Sequence, residues 1–189
     1  MKTWKNLAAA VLFGACAHAS AAPILSIDTG GGNAPLGASV DFSVAIDDIA
    51  DLYSYQFSLN YDARYLRATG VGAGSFLGSN GDATYFGFVG IDNAAGTISF
   101  VFDSLIGPIA GVSGSGALAL FSFETIGVGN AGLSFSDVLF LDSSGGDIAV
   151  DALPTNFGVI GEPSEVPEPA GYLLLGAGLI AVAALRRRA

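Results

Sequence analysis

The sequence is poor in the residues that carry most enzyme chemistry. Across 189 residues there is one cysteine, Cys16, and one histidine, His18. Lysine stops at Lys5, the one tryptophan is Trp4, and three of the five remaining basic residues are Arg186, Arg187 and Arg188 at the far end. Residues 23–160 keep only Arg64 and Arg67 against thirteen aspartates and Glu124, a net charge of −12. Without histidine, cysteine or lysine, this body holds no Ser–His or Cys–His pair, no Schiff-base lysine, no His or Cys zinc site and no disulfide. Without clustered cations it cannot displace counterions from a phosphate backbone, which excludes nucleic acid as a partner. No cofactor is expected. Carboxylates, hydroxyls and amides are what remains.

What is present is apolar and small. Hydrophobic residues make up 51% and charged residues 13%, the latter about half the usual share. The 27 glycines follow no Gly-X-Y period, so a collagen helix is excluded. Aromatics at 11% give the chain enough to bury a core.

The two ends read as addresses. Lys2 and Lys5 precede an apolar run over 7–17, followed by Ala17-His18-Ala19 and Ala19-Ser20-Ala21. That is a signal peptide over 1–21, cleaved after Ala19 or Ala21. At the other end, residues 170–185 carry no charge and are followed by the three arginines. As a helix they would rise about 24 Å against a hydrocarbon core of about 30 Å, a short transmembrane span with its arginines on the cytoplasmic side. Between body and span, residues 161–169 include Glu162-Pro163-Ser164-Glu165-Val166-Pro167-Glu168-Pro169, an extended linker that the prolines keep out of helix and sheet.

This order of short motif, apolar span and terminal arginines resembles the PEP-CTERM sorting signal of Gram-negative bacteria. Val166, Pro167, Glu168 and Pro169 match its core, and Arg186, Arg187 and Arg188 its basic end. The resemblance implies processing by an exosortase after passage through the inner membrane. It also implies delivery to the cell surface or extracellular matrix, in a context of exopolysaccharide and biofilm.

The body, 22–160, alternates with period two and holds no helical stretch of useful length. Val40, Phe42, Val44 and Ile46 alternate with small and polar residues, and so do Tyr53, Tyr55, Phe57, Leu59 and Tyr61. Ile98, Phe100 and Phe102 repeat the pattern, and 118–125 begins apolar on both faces, as a strand covered on two sides would. With further runs at 24–26, 66–71, 84–89, 133–140 and 148–150, about nine strands are expected, separated by turn-forming Asn, Asp and Gly. Such spacing suggests a two-sheet sandwich or jelly roll.

Gly37-x-x-Val40-x-Phe42-x-Val44 is followed by 52–59 running into Asn60-Tyr61-Asp62. Then come Gly96-x-Ile98-x-Phe100, Gly114-x-Gly116-x-Leu118 and a hairpin through Asp142 and Gly146. Together these resemble a cohesin domain. The resemblance implies an all-β, nine-stranded jelly roll whose role is binding, with one flat sheet face gripping a dockerin. If the aromatics of 53–61 point inward, Ser54, Gln56, Ser58 and Asn60 face out as the candidate binding face. A solvated polar face is the plain alternative.

Other signals are weaker. The glycines of 111–116 lack the lysine and helix that phosphate binding requires and read as a loop or bulge. Asp142, Asp147 and Asp151, or Asp47, Asp48 and Asp51, could offer oxygens to calcium. No twelve-residue loop ending in glutamate is present, so solvated turn acids are expected and no metal site. The sequence therefore points to a non-enzymatic exported protein presenting a binding domain to a protein or polysaccharide. A carbohydrate-binding module is the second reading and a carboxylate-based glycoside hydrolase the third.

Overall fold

The computed structural model describes residues 21–161. The signal peptide with its Ala19 cleavage point, the sorting motif Val166 to Pro169, the apolar span and Arg186, Arg187 and Arg188 lie outside the described residues. Every regular element within them is a strand: β1 (Ile24–Asp28), β2 (Asn33–Pro35), β3 (Ser39–Tyr61), β4 (Leu66–Ala73), β5 (Gly90–Asp92), β6 (Thr97–Ser104), β7 (Val112–Thr125), β8 (Gly129–Asp142), β9 (Asp151–Ala152) and β10 (Thr155–Ile160).

The two alternating runs at 40–46 and 53–61 are one continuous strand. The first half of β3 pairs with β1 and β7, the second half with β6 and β8. One layer therefore reads β9-β1-β3-β7-β4, and the other β5-β6-β3-β8-β10-β2, with β3 shared. The strand changes layer at 47–52, where its register against β7 shifts twice and Asp48 and Asp51 take positive φ of 57° and 55°. Aspartate tolerates this region better than most residues, because its short side chain bonds to nearby backbone. Ser115 Oγ accepts from the Asp48 N–H and Ser113 Oγ from the Asp51 N–H, each at 2.9 Å. The Asp51 carboxylate accepts from Gly111 N–H at 2.8 Å and Ser143 Oγ–H at 2.7 Å, tying the bend to the start of β7 and the turn after β8.

Between the layers lies an aromatic core. Phe42 meets Phe157 at 4.8 Å and Phe123 at 5.1 Å between ring centres, Tyr61 meets Phe123 at 5.0 Å, and Phe57 meets Phe121 at 6.3 Å. Tyr55, Phe57, Leu59 and Tyr61 are all buried, as their alternation predicts.

The structure departs from the sequence reading in the strands beside β3. Ile98 is buried, but the next inward residues of β6 are Val101 and Asp103, and Phe100 is exposed. Register runs from Phe57↔Val101 to Leu59↔Ile98, so Ser99 and Phe100 together oppose Ser58. This is a β-bulge that reverses the strand's phase, with Phe100 at φ 49°. A second bulge on β8, with Asp137 at φ 53°, flanks the same point of β3 from the other side. Segment 84–89 is an irregular companion of β6, joined through Thr84↔Leu105 and Gly87↔Phe102. Residues 148–150 form no strand, and the glycines of 111–116 belong mostly to β7. On β7, Leu120 is exposed, so that strand is not covered on both faces.

Candidate functional site

The expected binding face is the outer surface of the layer containing β5, β6, the second half of β3, and β8. Opposite Ser54 stand Ser104 on β6 and Leu141 on β8; opposite Gln56 stand Phe102 and Leu139; opposite Asn60 stand Thr97 and Ser134. Sequence reasoning names only the β3 members. The flanking Phe102, Leu139 and Leu141 escape it because cross-strand register is invisible in a linear pattern, and on β6 and β8 the bulges shift the phase.

These residues form a shallow cleft of about 240 Å³ lined by Ser54, Gln56, Phe102, Ser104, Leu139 and Leu141, with Tyr55 and Asp103 adjoining. Ser54 and Gln56 supply the polar floor, and Phe102 and the exposed Leu139 the apolar walls. Beyond Phe102, the ring of Tyr85 lies 5.8 Å away and Tyr85 is 65% exposed. Gly87 sits against the Phe102 ring, where a Cβ would come within 2.8 Å of it, so glycine lets the aromatic lie flat on the companion segment.

Ser58 does not take part. It is 2% exposed, and its Oγ accepts the N–H of the bulged Phe100 at 3.1 Å, so it holds the bulge and presents nothing outward. Asn60 is half-buried and is spent across strands: its Nδ2 donates to Ser136 Oγ at 3.1 Å and its Oδ1 accepts from Thr97 Oγ1 at 3.2 Å.

Beneath the cleft, Asp103 faces the core opposite Tyr55 and is 2% exposed. Burial raises its carboxyl above the usual carboxylate range, although the Ser104 N–H, at 2.9 Å, and the Thr84 hydroxyl both act the other way. Burial likewise pushes the Tyr55 phenol up, with the Asp103 charge adding to it, and the Tyr55 hydroxyl donates to the Leu118 carbonyl of the opposite layer.

Several of the remaining acids are engaged in turns and ion pairs. The Asp142 carboxylate accepts from Ser144 Oγ–H at 2.6 Å and from the N–H groups of Ser144 and Gly146, each at 2.8 Å. These bonds hold its carboxyl below the usual range. Asp51 is lowered in the same way, first by the Ser143 hydroxyl and then by the Gly111 N–H. Asp62 pairs with Arg64, and Glu124 with Arg67. Among the described residues, no three His, Cys, Asp or Glu side chains converge as a metal site would require.

A family model described as cohesin domain matches residues 25–157. This chain belongs to the cohesin family. Cohesin domains are non-catalytic protein-binding modules. A second model, the PEP-CTERM protein-sorting motif, matches residues 165–188, and it supports an exported protein with a membrane-anchored intermediate processed by an exosortase. No curated protein matches the chain. Among solved structures, the cohesin fold here is similar to a non-cellulosomal cohesin from the archaeon Archaeoglobus fulgidus, with TM-score 0.57 and 18% identity over 74% of this chain and 92% of that one. It is also similar to the cohesin module of a family 33 glycoside hydrolase from Clostridium perfringens, with TM-score 0.61 and 10% identity over 76% and 100%. A third similar structure is a type I cohesin–dockerin complex from Clostridium thermocellum, with TM-score 0.62 and 14% identity over 74% and 100%. At these identities the likeness concerns the fold.

Proposed function

We propose that this protein is a non-enzymatic surface or matrix component whose cohesin domain holds a protein partner on the outer face of β5, β6, β3 and β8. The observation that carries the reading is the cleft at Ser54 and Gln56, where a polar floor sits between the apolar walls of Phe102 and Leu139. A small hydrophobic centre with convergent polar groups, on a rigid sheet, is the layout of a protein interface core. Solved relatives include complexes with dockerins, and a dockerin-like module is the partner chemistry this reading favours. The exosortase that reads Val166, Pro167, Glu168 and Pro169 would release the domain at the surface of a Gram-negative cell, in company with exopolysaccharide or biofilm.

The test is affinity capture of candidate partners with the wild-type chain and with Gln56→Arg and Leu139→Asp variants. Each substitution should weaken binding by about tenfold or more if it lies at the interface core. Unchanged binding by both variants would remove this face from the account. One observation favours a polysaccharide ligand as the second reading: Tyr85, 65% exposed beside Phe102, extends the face with the kind of flat ring that stacks on sugars. A polysaccharide retained by wild type and lost in Tyr85→Ala would select it.

A further inference from the structure

The bend in β3 brings both of its ends to one pole of the sandwich. Ser39 at its start pairs with Glu124, while Tyr61 at its finish packs on Phe123 one residue away. The chain leaves the domain at this pole, because the Ile160 carbonyl at the end of β10 accepts from Leu36 N–H at 2.9 Å. The pole is unusually apolar for so acidic a domain. Leu36, Ile126, Val128 and Ile160 are 46%, 44%, 55% and 52% exposed. They form one patch: Leu36 is bonded to Ile160, Gly37 N–H to the carbonyl of Thr125 beside Ile126, and Val128 lies against Gly161.

Charge is distributed to match. Both cations of the described residues, Arg64 and Arg67, sit at this pole, paired with Asp62 and Glu124. Asp92, on the turn between β5 and β6, and Asp41, two residues into β3 and bonded by Ser122 Oγ–H, are further acids toward this end. The opposite pole holds Asp47, Asp48, Asp51, Asp142, Asp147 and Asp151 around the bend, with no cation, and its exposed Ile24, Ile106 and Leu153 share that end with six acids. An anionic surface is thus repelled far more strongly by the acidic pole than by this one, where the two ion pairs cancel most of the charge.

The sequence beyond the domain says which surface that is. Eight residues, 162–169, separate Gly161 from the apolar run at 170–185. Even fully extended they reach no more than about 29 Å, so while the tail is in the bilayer this pole cannot leave it far behind. A tether that short supplies a high effective concentration, and a weak apolar contact then suffices. We infer that the pole formed by Leu36, Ile126, Val128 and Ile160 rests on the lipid surface while the protein is anchored, holding the domain upright with its acidic end and binding face in the aqueous space. The inference rests on the reading of 170–185 as a membrane span.

The sequence after Cys16 has no cysteine, so residues 22–189 accept single fluorescent labels cleanly. The chain is reconstituted into vesicles of phosphatidylethanolamine and phosphatidylglycerol carrying headgroup spin-labelled lipid. Labels are placed on Ser39→Cys at the apolar pole or Ala50→Cys at the acidic one, at most roughly 37 Å apart along β3. The Ser39 label should lose most of its fluorescence and the Ala50 label none. The combined Leu36→Ser, Ile126→Ser, Val128→Ser and Ile160→Ser variant, altered only at exposed positions, should restore the Ser39 signal while its far-ultraviolet spectrum stays unchanged. Equal quenching at both poles, or quenching that survives the serine substitutions, would overturn the inference. So would protection of Ser39 only when an exosortase is added, which would make the pole a protein contact. A label at Leu174→Cys reports separately on the tail: if acyl-chain spin labels leave it bright, the span reading fails and takes this inference with it.

Discussion

The bulge at Phe100 makes a prediction whose sign is opposite to the ordinary rule for strands. In a regular strand, glycine is less stable than alanine by about 0.5–1 kcal/mol, because its unfolded chain has more freedom to lose. At φ 49°, an alanine at position 100 would instead suffer the left-handed penalty of roughly 1–2 kcal/mol, which glycine escapes. Subtracting the entropic cost of glycine leaves Phe100→Gly more stable than Phe100→Ala by about 0.5–1 kcal/mol. Both lose the same ring, which is 41% exposed, so the comparison cancels its contribution. Phe102, two residues on in the same strand, is regular, and there Phe102→Gly should fall below Phe102→Ala by a similar amount. For a domain of this size the difference appears as roughly 1–4 °C in Tm, or as a shift in the urea midpoint at constant slope. If alanine outranks glycine at both positions, the bulge is absent and β6 keeps plain alternation, with Phe100 in the core.

Three further outcomes follow from the same geometry. Asp103 has a raised carboxyl in the folded state, so its contribution to stability is fully present below the ordinary carboxylate value and is lost as pH rises through the folded one; Asp103→Asn should therefore gain on wild type as pH rises from about 4 to 7, and a difference in urea midpoint that does not change with pH would contradict this. Asp51 is lowered, so its contribution is present above the ordinary carboxylate value and is lost on acidification through the folded one. Asp51→Ala should therefore destabilise the domain at pH 7 and speed amide exchange first at Gly111 and Ser143, whereas uniform exchange across the domain would show that the bend needs no such clamp. Replacing Pro167, Glu168 and Pro169 together with alanine should leave the chain unprocessed in the inner membrane on fractionation; normal release would refute the sorting account.

The parts of the fold legible in the sequence were those where period and burial agree. Tyr55, Phe57, Leu59 and Tyr61 alternate cleanly and are all buried, and the turn residues around Asp92 and Asp142 cap turns through their carboxylates. Where the strand itself departs from period two, the pattern misleads. Phe100 and Phe102 look like their neighbour Ile98, yet the bulge turns both outward; nothing in Ser99-Phe100 marks the site, since the acceptor that holds it is Ser58 Oγ on another strand. The bend of β3 left a faint signal in Asp47, Asp48 and Asp51, residues suited to positive φ, but acids there read equally well as a turn between two strands. Strand β10 carries too short an alternation to be read from sequence, because Gly158 interrupts its run of six residues. Of the candidate face, Ser54 and Gln56 do line the cleft, but Ser58 is consumed by the bulge, and the walls contributed by Phe102, Leu139 and Leu141 depend on register that only three dimensions supply.

The claim on which the functional account turns is that partners are held on one layer and not the other. Photo-crosslinking tests it directly: a photoreactive amino acid is placed either at Gln56 in the cleft or at Ser43 on the outer side of the opposite layer, in cells that export the protein. The account predicts one discrete crosslinked partner from position 56 and none from position 43. The same partner from both positions, or a partner from 43 alone, would contradict it.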